Sequence, residues 1–154
     1  MRRRLLSVSL VIGLLAALAW AGPAGAEEGT AEFQTRMTGR QEVPTSGDPD
    51  GVGHAFVEIG PDNLICYKLV VRNVDMPSAA HIHIGVRRQA GPIVVPNGGV
   101  SLPGTWVATS TGAFVLKGCV TDSDAPTIRS APEGFYVNVH TATFPGGAVR
   151  GQLP

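Results

Sequence analysis

The stretch VGHAFVEIGPDNLICYKLVVRNV spans Val52–Val74. Runs rich in β-branched residues flank the turn signal PDN at Pro61–Asn63. That arrangement reads as two strands joined by a tight hairpin. Side chains alternate between the two faces of a strand. Ala55, Val57 and Ile59 are therefore predicted to face a core, with His54, Phe56 and Glu58 on the other face. Phe56 suits that other face poorly.

The segments on either side are punctuated in the same way. AEFQTRMTG (Ala31–Gly39) reads as a strand before the hairpin, and PTSGDPDG (Pro44–Gly51) as the loop between them. AAHIHIG (Ala79–Gly85) is a fourth strand. Val86–Gly104 is loop-like, with IVV at Ile93–Val95 as a short strand inside it. TWVATSTGAFVL (Thr105–Leu116) supplies another strand or extended chain. The one helix candidate is SDAPTIRSA (Ser123–Ala131), capped by Ser123 or Asp122, with Gly134 just beyond it. FYVNVHTATFPGGAVRGQL (Phe135–Leu153) then forms a C-terminal hairpin about Pro145, Gly146 and Gly147. The expected fold is all-β: an antiparallel Greek-key β-sandwich or flattened barrel, with one short helix before the final hairpin.

The N-terminus stands apart. Arg2–Arg4 precede an apolar run, Leu5–Trp20, and small residues at Ala24–Ala26. This is the layout of a secretory signal peptide. The run is shorter than the roughly 20 residues of a membrane-spanning helix. Cleavage is expected after Ala26, leaving Glu27–Pro154 as a single domain without a stable membrane anchor. An arginine run with no phenylalanine after it argues against the twin-arginine route, and no cysteine near Ala26 invites lipid attachment. The whole chain has 12 basic and 12 acidic residues, and losing Arg2–Arg4 tips the mature part to a small acidic excess. With no basic patch or lysine run, nucleic acid is not an expected partner. Cys66 and Cys119 are the only cysteines. In an exported chain an even count favours a disulfide, closing a loop of about 50 residues and contributing on the order of 3–4 kcal/mol. Two buried free thiols are the alternative.

Alternation also sorts the histidines. In HIHIG, Ile82 and Ile84 share one face and His81 and His83 the other. In FYVNVH, Phe135, Val137 and Val139 oppose Tyr136, Asn138 and His140. Giving the apolar faces to the core leaves His81, His83 and His140 on the outer wall. If the two strands are neighbours, the three imidazoles form one cluster. Such a set suits copper or zinc and leaves a coordination position open. His54, Tyr136 and Asn138 are possible additions to it. The competing reading is that these imidazoles are hydrogen-bonding groups on a sheet surface.

Three stretches carry a family resemblance. GRQEVP (Gly39–Pro44), AAHIHIGVRRQAGPIVVP (Ala79–Pro96) and YVNVHTATFPGGAVRGQL (Tyr136–Leu153) together closely resemble the CHRD domain, named for chordin. The resemblance covers most of Phe33–Leu153 and implies an extracytoplasmic domain, secreted or held at the cell envelope. LICYKLVV and LKGCV resemble the cysteine-bearing members, which supports the Cys66–Cys119 bridge. In chordin such domains belong to an extracellular antagonist of bone morphogenetic proteins, so a protein partner for this chain is an analogy only. The order of elements is more distantly similar to Cu/Zn superoxide dismutase, with His81 and His83 matching its first histidine pair and His140 its late copper ligand. No histidine lies between Gly85 and Val139, so that enzyme's bridging and zinc-site histidines have no counterpart.

Glu42 in the first stretch and Arg150 in the last are charged residues in otherwise small or apolar surroundings. A partly buried ion pair joining the terminal strands is one expectation, since arginine can meet a carboxylate bidentately. A ligand-binding carboxylate is the other. No nucleophile elbow, phosphate-cradling glycine loop or C-x-x-C occurs. The sequence therefore favours a binding module for an unidentified extracytoplasmic ligand or protein, then a structural or adhesive domain, then a copper-dependent redox enzyme.

Overall fold

The computed structural model describes residues 29–154, so the signal peptide expected over residues 1–26 and its cleavage site lie outside the described residues. Nine strands follow in chain order: β1 (Ala31–Thr38), β2 (Val52–Ile59), β3 (Leu64–Arg72), β4 (Pro77–Ile84), β5 (Ile93–Val95), β6 (Val107–Ala108), β7 (Ala113–Thr121), β8 (Phe135–Thr141) and β9 (Val149–Gln152). One short helix, α1 (Ala125–Ser130), precedes β8. The all-β architecture with a single short helix before the C-terminal hairpin is what the strand-and-turn pattern called for.

The strands form one sheet in the order β5-β4-β8-β9-β1-β2-β3-β7-β6, and every pairing is antiparallel. The expected hairpins are present as β2–β3 and β8–β9. Between β1 and β9 only Thr38 and Arg150 pair in register, so the sheet turns a corner there and its two halves fold toward each other. Ala55, Val57, Ile65, Leu69 and Val71 from one half join Ala80, Ile82, Val137 and Val139 from the other in one apolar core. Ala125 and Ile128 of α1 pack into the same core. Sandwich-like packing and a continuous curled sheet are thus combined.

The side away from the β1–β9 corner is spanned by the segment after β5. The Leu102 amide donates to the Ala80 carbonyl at 2.8 Å, and the Tyr67 hydroxyl donates to the Pro103 carbonyl. Gly118 makes the close approach possible, because a Cβ there would lie 2.7 Å from that same carbonyl oxygen. Cys66 and Cys119 stand directly opposite each other on β3 and β7 and are joined in a disulfide across 53 residues of chain.

Two local expectations need correction. Ile84 does not join Ile82 in the core: it is 44% exposed, because β4 ends there and the chain turns away at Gly85. The helix starts later than Ser123, and its N-cap position is Asp124, whose side chain makes no capping bond. Asp122 instead accepts the Asp124 amide at 3.0 Å and the Asn97 amide at 2.8 Å, tying the helix entry to the loop after β5.

Candidate metal centre

The register of β4 against β8 sets His81 opposite Asn138, His83 opposite Tyr136 and Ala79 opposite His140. On the other edge of β8, Asn138 faces Arg150 and Tyr136 faces Gln152. Period-two alternation carries all of these side chains to the face away from the apolar core. The adjacency of β4 and β8 that sequence left open is therefore real, and it gathers His81, His83 and His140.

That outer face is largely closed off from solvent, with His140 half-buried. His81, His83, Tyr136, Asn138, Arg150 and Gln152 are all buried. Three connecting segments roof them over. The turn after β4 lies over His83 and Tyr136, the turn after β8 over His140, and the segment after β1 brings Glu42 in from the side. A roof of backbone offers polar partners, which is why polar side chains can be buried beneath it. Arg150 donates to the Gln89 carbonyl at 2.8 Å and the Val86 carbonyl at 3.0 Å. The Gln152 amide lies 2.9, 2.8 and 2.7 Å from the carbonyls of Gly85, Glu133 and Phe135. Gly147, with φ at 136°, leaves the space Glu42 occupies: a Cβ there would lie 2.5 Å from its carboxylate.

The imidazole bonds determine which nitrogens are free. His83 Nδ1 is 2.9 Å from the Gly91 carbonyl, and His140 Nδ1 is 2.9 Å from the Pro145 carbonyl. A carbonyl only accepts, so both Nδ1 atoms carry the proton and both Nε2 atoms of the neutral rings present lone pairs. His81 Nδ1 lies 3.0 Å from His140 Nε2. His83 Nε2 is buried without a hydrogen-bond partner, as are Asn138 Oδ1 and Glu42 Oε1.

Electrostatics keep the cluster neutral. Burial, then the neighbouring His140 and His83 charges, push the His81 pKa down to about 4. Burial also lowers His83 and His140. Burial drives the Glu42 carboxyl the other way, up to about 7, although Arg150 and Asn138 pull against it. Tyr136 is clasped between two groups. His83 stacks on it with centroids 4.8 Å apart and ring planes 11° apart, and the Arg150 guanidinium carbon sits 3.3 Å from its centroid.

One ring nitrogen from each of His81, His83 and His140 can be chosen so that all lie within 4.8 Å of one another. A common centre then lies within about 3 Å of all three, against the roughly 2.0–2.1 Å of a metal–imidazole bond. Carbonyls on the remote nitrogens of His83 and His140 are the usual second layer around a histidine-bound metal. On donor chemistry and convergence, the three histidines could hold a metal ion.

The family model described as the CHRD domain matches residues 33–153. The chain belongs to the CHRD domain family. The three stretches on which the resemblance rested lie inside that match, and each supplies part of this CHRD domain's polar layer. Glu42 comes from the first, His81 and His83 from the second, and Tyr136 through Gln152 from the third. A search of the curated proteins returned no match, and neither did a search of the solved structures.

Other expected residues are placed as follows. His54 is exposed on β2, opposite Arg36 and Val70, apart from the three-histidine group. Tyr136 stacks on His83, and Asn138 stands opposite His81 in register. Glu42 and Arg150 are both buried and feel each other's charge. The guanidinium, however, makes its hydrogen bonds to Gln89, Val86 and Gln152 rather than to Glu42. Sequence reasoning passed over Gln152, although its spacing from Arg150 puts both on one face. Gly91 and Pro145 were beyond its reach, since they act through backbone carbonyls.

Proposed function

We propose that this CHRD domain is an extracytoplasmic binding module whose His81, His83 and His140 hold one copper or zinc ion. The observation that carries the reading is the convergence of one ring nitrogen from each histidine within 4.8 Å, with the Nε2 of His83 buried next to Asn138 and making no hydrogen bond of good geometry. An unsatisfied buried acceptor is costly, and a cation satisfies it. When bound, such an ion supplies a Lewis-acidic centre with room for a further ligand. The chain's own part is orientation: the Gly91 and Pro145 carbonyls hold two rings in the tautomer that presents Nε2. The disulfide and the signal-like N-terminus support an oxidising, extracytoplasmic location, secreted or at the cell envelope. The partner is a ligand or protein of that compartment, not nucleic acid.

Native mass spectrometry of protein purified without a metal-chelating tag tests the proposal. One equivalent of copper or zinc is expected, and it should be absent from His83→Ala. Failure to take up either metal when it is added, or unchanged uptake by the variant, would sink the idea. A second reading has its own support. The 3.0 Å contact between His81 and His140 can be a hydrogen bond within a metal-free structural or adhesive domain. Catalysis by a bound copper, as in a dismutase-like enzyme, would need superoxide consumption by the copper-loaded protein.

A further inference from the structure

A second polar feature lies on the other side of Tyr136 from the histidines. A cleft of about 270 Å³ is lined by Arg40, Arg87, Arg88 and Arg150, with Gln41, Val43 and Gln152 completing its wall. No carboxylate lines it. Arg40, Arg87 and Arg88 are exposed and make no side-chain hydrogen bond or ion pair with any described residue. Arg150 is buried, and its hydrogen-bond partners are all uncharged oxygens. Its own pKa is lowered by burial; Tyr136 and the Glu42 carboxyl pull it back up, and the nearby Arg87 charge adds to the lowering.

Four like charges are drawn together from three parts of a chain with 12 basic and 12 acidic residues; the buried Glu42 carboxyl offsets Arg150 alone, so Arg40, Arg87 and Arg88 repel one another and Arg150 unless an anion joins them. The arrangement is held, not incidental. Arg150 grips the carbonyls at both ends of the turn Val86–Gln89, and that turn carries Arg87 and Arg88. The turn is closed by the Gln89 amide donating to Val86 at 3.1 Å. Arg88 sits in it at a φ of 66°. Glycine or asparagine adopts that left-handed conformation more readily, so arginine is kept there at a conformational disadvantage and contributes charge.

We propose that this cleft is a binding site for a phosphate- or sulfate-type oxyanion. Guanidinium groups pair with such oxygens bidentately. Three unpaired guanidiniums present more donors than the two oxygens of a carboxylate can accept, whereas a phosphate or sulfate group offers three or more oxygens and a higher charge. The site stands independently of any metal at the histidines.

Calorimetric titration of the chelator-treated mature chain with inorganic phosphate and with sulfate tests this, the chelator removing any metal-bound anion from the signal. Binding is expected, and it should weaken by about tenfold or more in the double variant Arg87→Gln, Arg88→Asn. Asparagine tolerates the left-handed position, so that variant should fold. A control, Arg36→Gln with Lys68→Gln, removes equal charge from the β1–β3 face and should bind as the parent does. Cosedimentation with phosphatidylglycerol vesicles but not phosphatidylcholine vesicles, lost in the Arg87/Arg88 variant, would assign the group to a lipid headgroup. Phosphate or sulfate binding without cosedimentation would assign it to a soluble ligand. Binding of none of these probes overturns the proposal, and so does equal weakening in the control.

Discussion

The two halves of the curled sheet obey the same alternation and treat their outer faces in opposite ways. On β2 and β3 the outward residues reach solvent: His54, Phe56, Glu58 and Lys68 are all exposed. On β8 and β9 nearly every residue is buried, those facing the apolar core and those facing away alike. The first half is an ordinary one-sided sheet. The second is covered on both sides, by apolar residues within and by backbone turns without. An outward position therefore means water in one half and a hydrogen-bonded polar layer in the other. Chemistry concentrates where the second covering exists, since excluding water strengthens every interaction among the groups beneath it.

The sharpest way to break the contrast is to remove the residue that ties down the roof. Arg150→Leu should strip partners from the Val86 and Gln89 carbonyls and from Gln152, destabilising the fold by on the order of 3–5 kcal/mol. Urea denaturation would measure it, with Arg36→Leu on the open half expected within about 0.5 kcal/mol of the parent. Similar losses from the two changes would mean that the roof contributes no more than a solvated surface does.

A smaller effect should come from Glu42. Its folded pKa of about 7 lies above the 4.5 of the free group. Below the lower value both states are protonated and the residue is neutral in its effect. As pH rises between the two, the unfolded chain loses its proton first, so stability falls, and above about pH 7 the whole penalty is in place. Glu42→Gln should therefore gain stability relative to the parent between pH 5 and pH 8, by on the order of 2–3 kcal/mol. Comparing the two proteins cancels the opposite drift from the histidines, whose lowered pKa values make the fold less stable as pH falls below about 6.5. A difference that is flat with pH would show that the carboxyl is solvated.

The smallest effect belongs to the histidine on the open half. His54→Ala should leave stability within about 0.5 kcal/mol and metal uptake unchanged. Reduced uptake in native mass spectra would bring β2 into the metal centre and erase the distinction between the halves.

Much of the fold was legible because its signals are local. The PDN turn, the Pro145–Gly147 turn and the β-branched runs mark both hairpins without reference to anything distant. The helix was legible in existence but displaced at its start, because Asp122 is drawn to the Asn97 amide. Ile84 was misplaced for a similar reason: alternation assumes a strand that continues, and β4 stops there. The three histidines and Asn138 were legible as one face of their strands. Gly91 and Pro145 were not, since a carbonyl that orients an imidazole leaves no mark in the residue type.

The sequence by itself determined which side chains share a face, because the two-residue period of a strand is a property of the backbone. It also determined where the chain turns, through proline and glycine. Only the tertiary structure decided that β4 lies beside β8, that the turn Val86–Gln89 folds back over Tyr136, and that three imidazoles meet. Those outcomes depend on contacts between residues some 60 positions apart, such as His81 with His140 and Arg150 with Gln89. Packing of the whole core selects such contacts, and no local period encodes them.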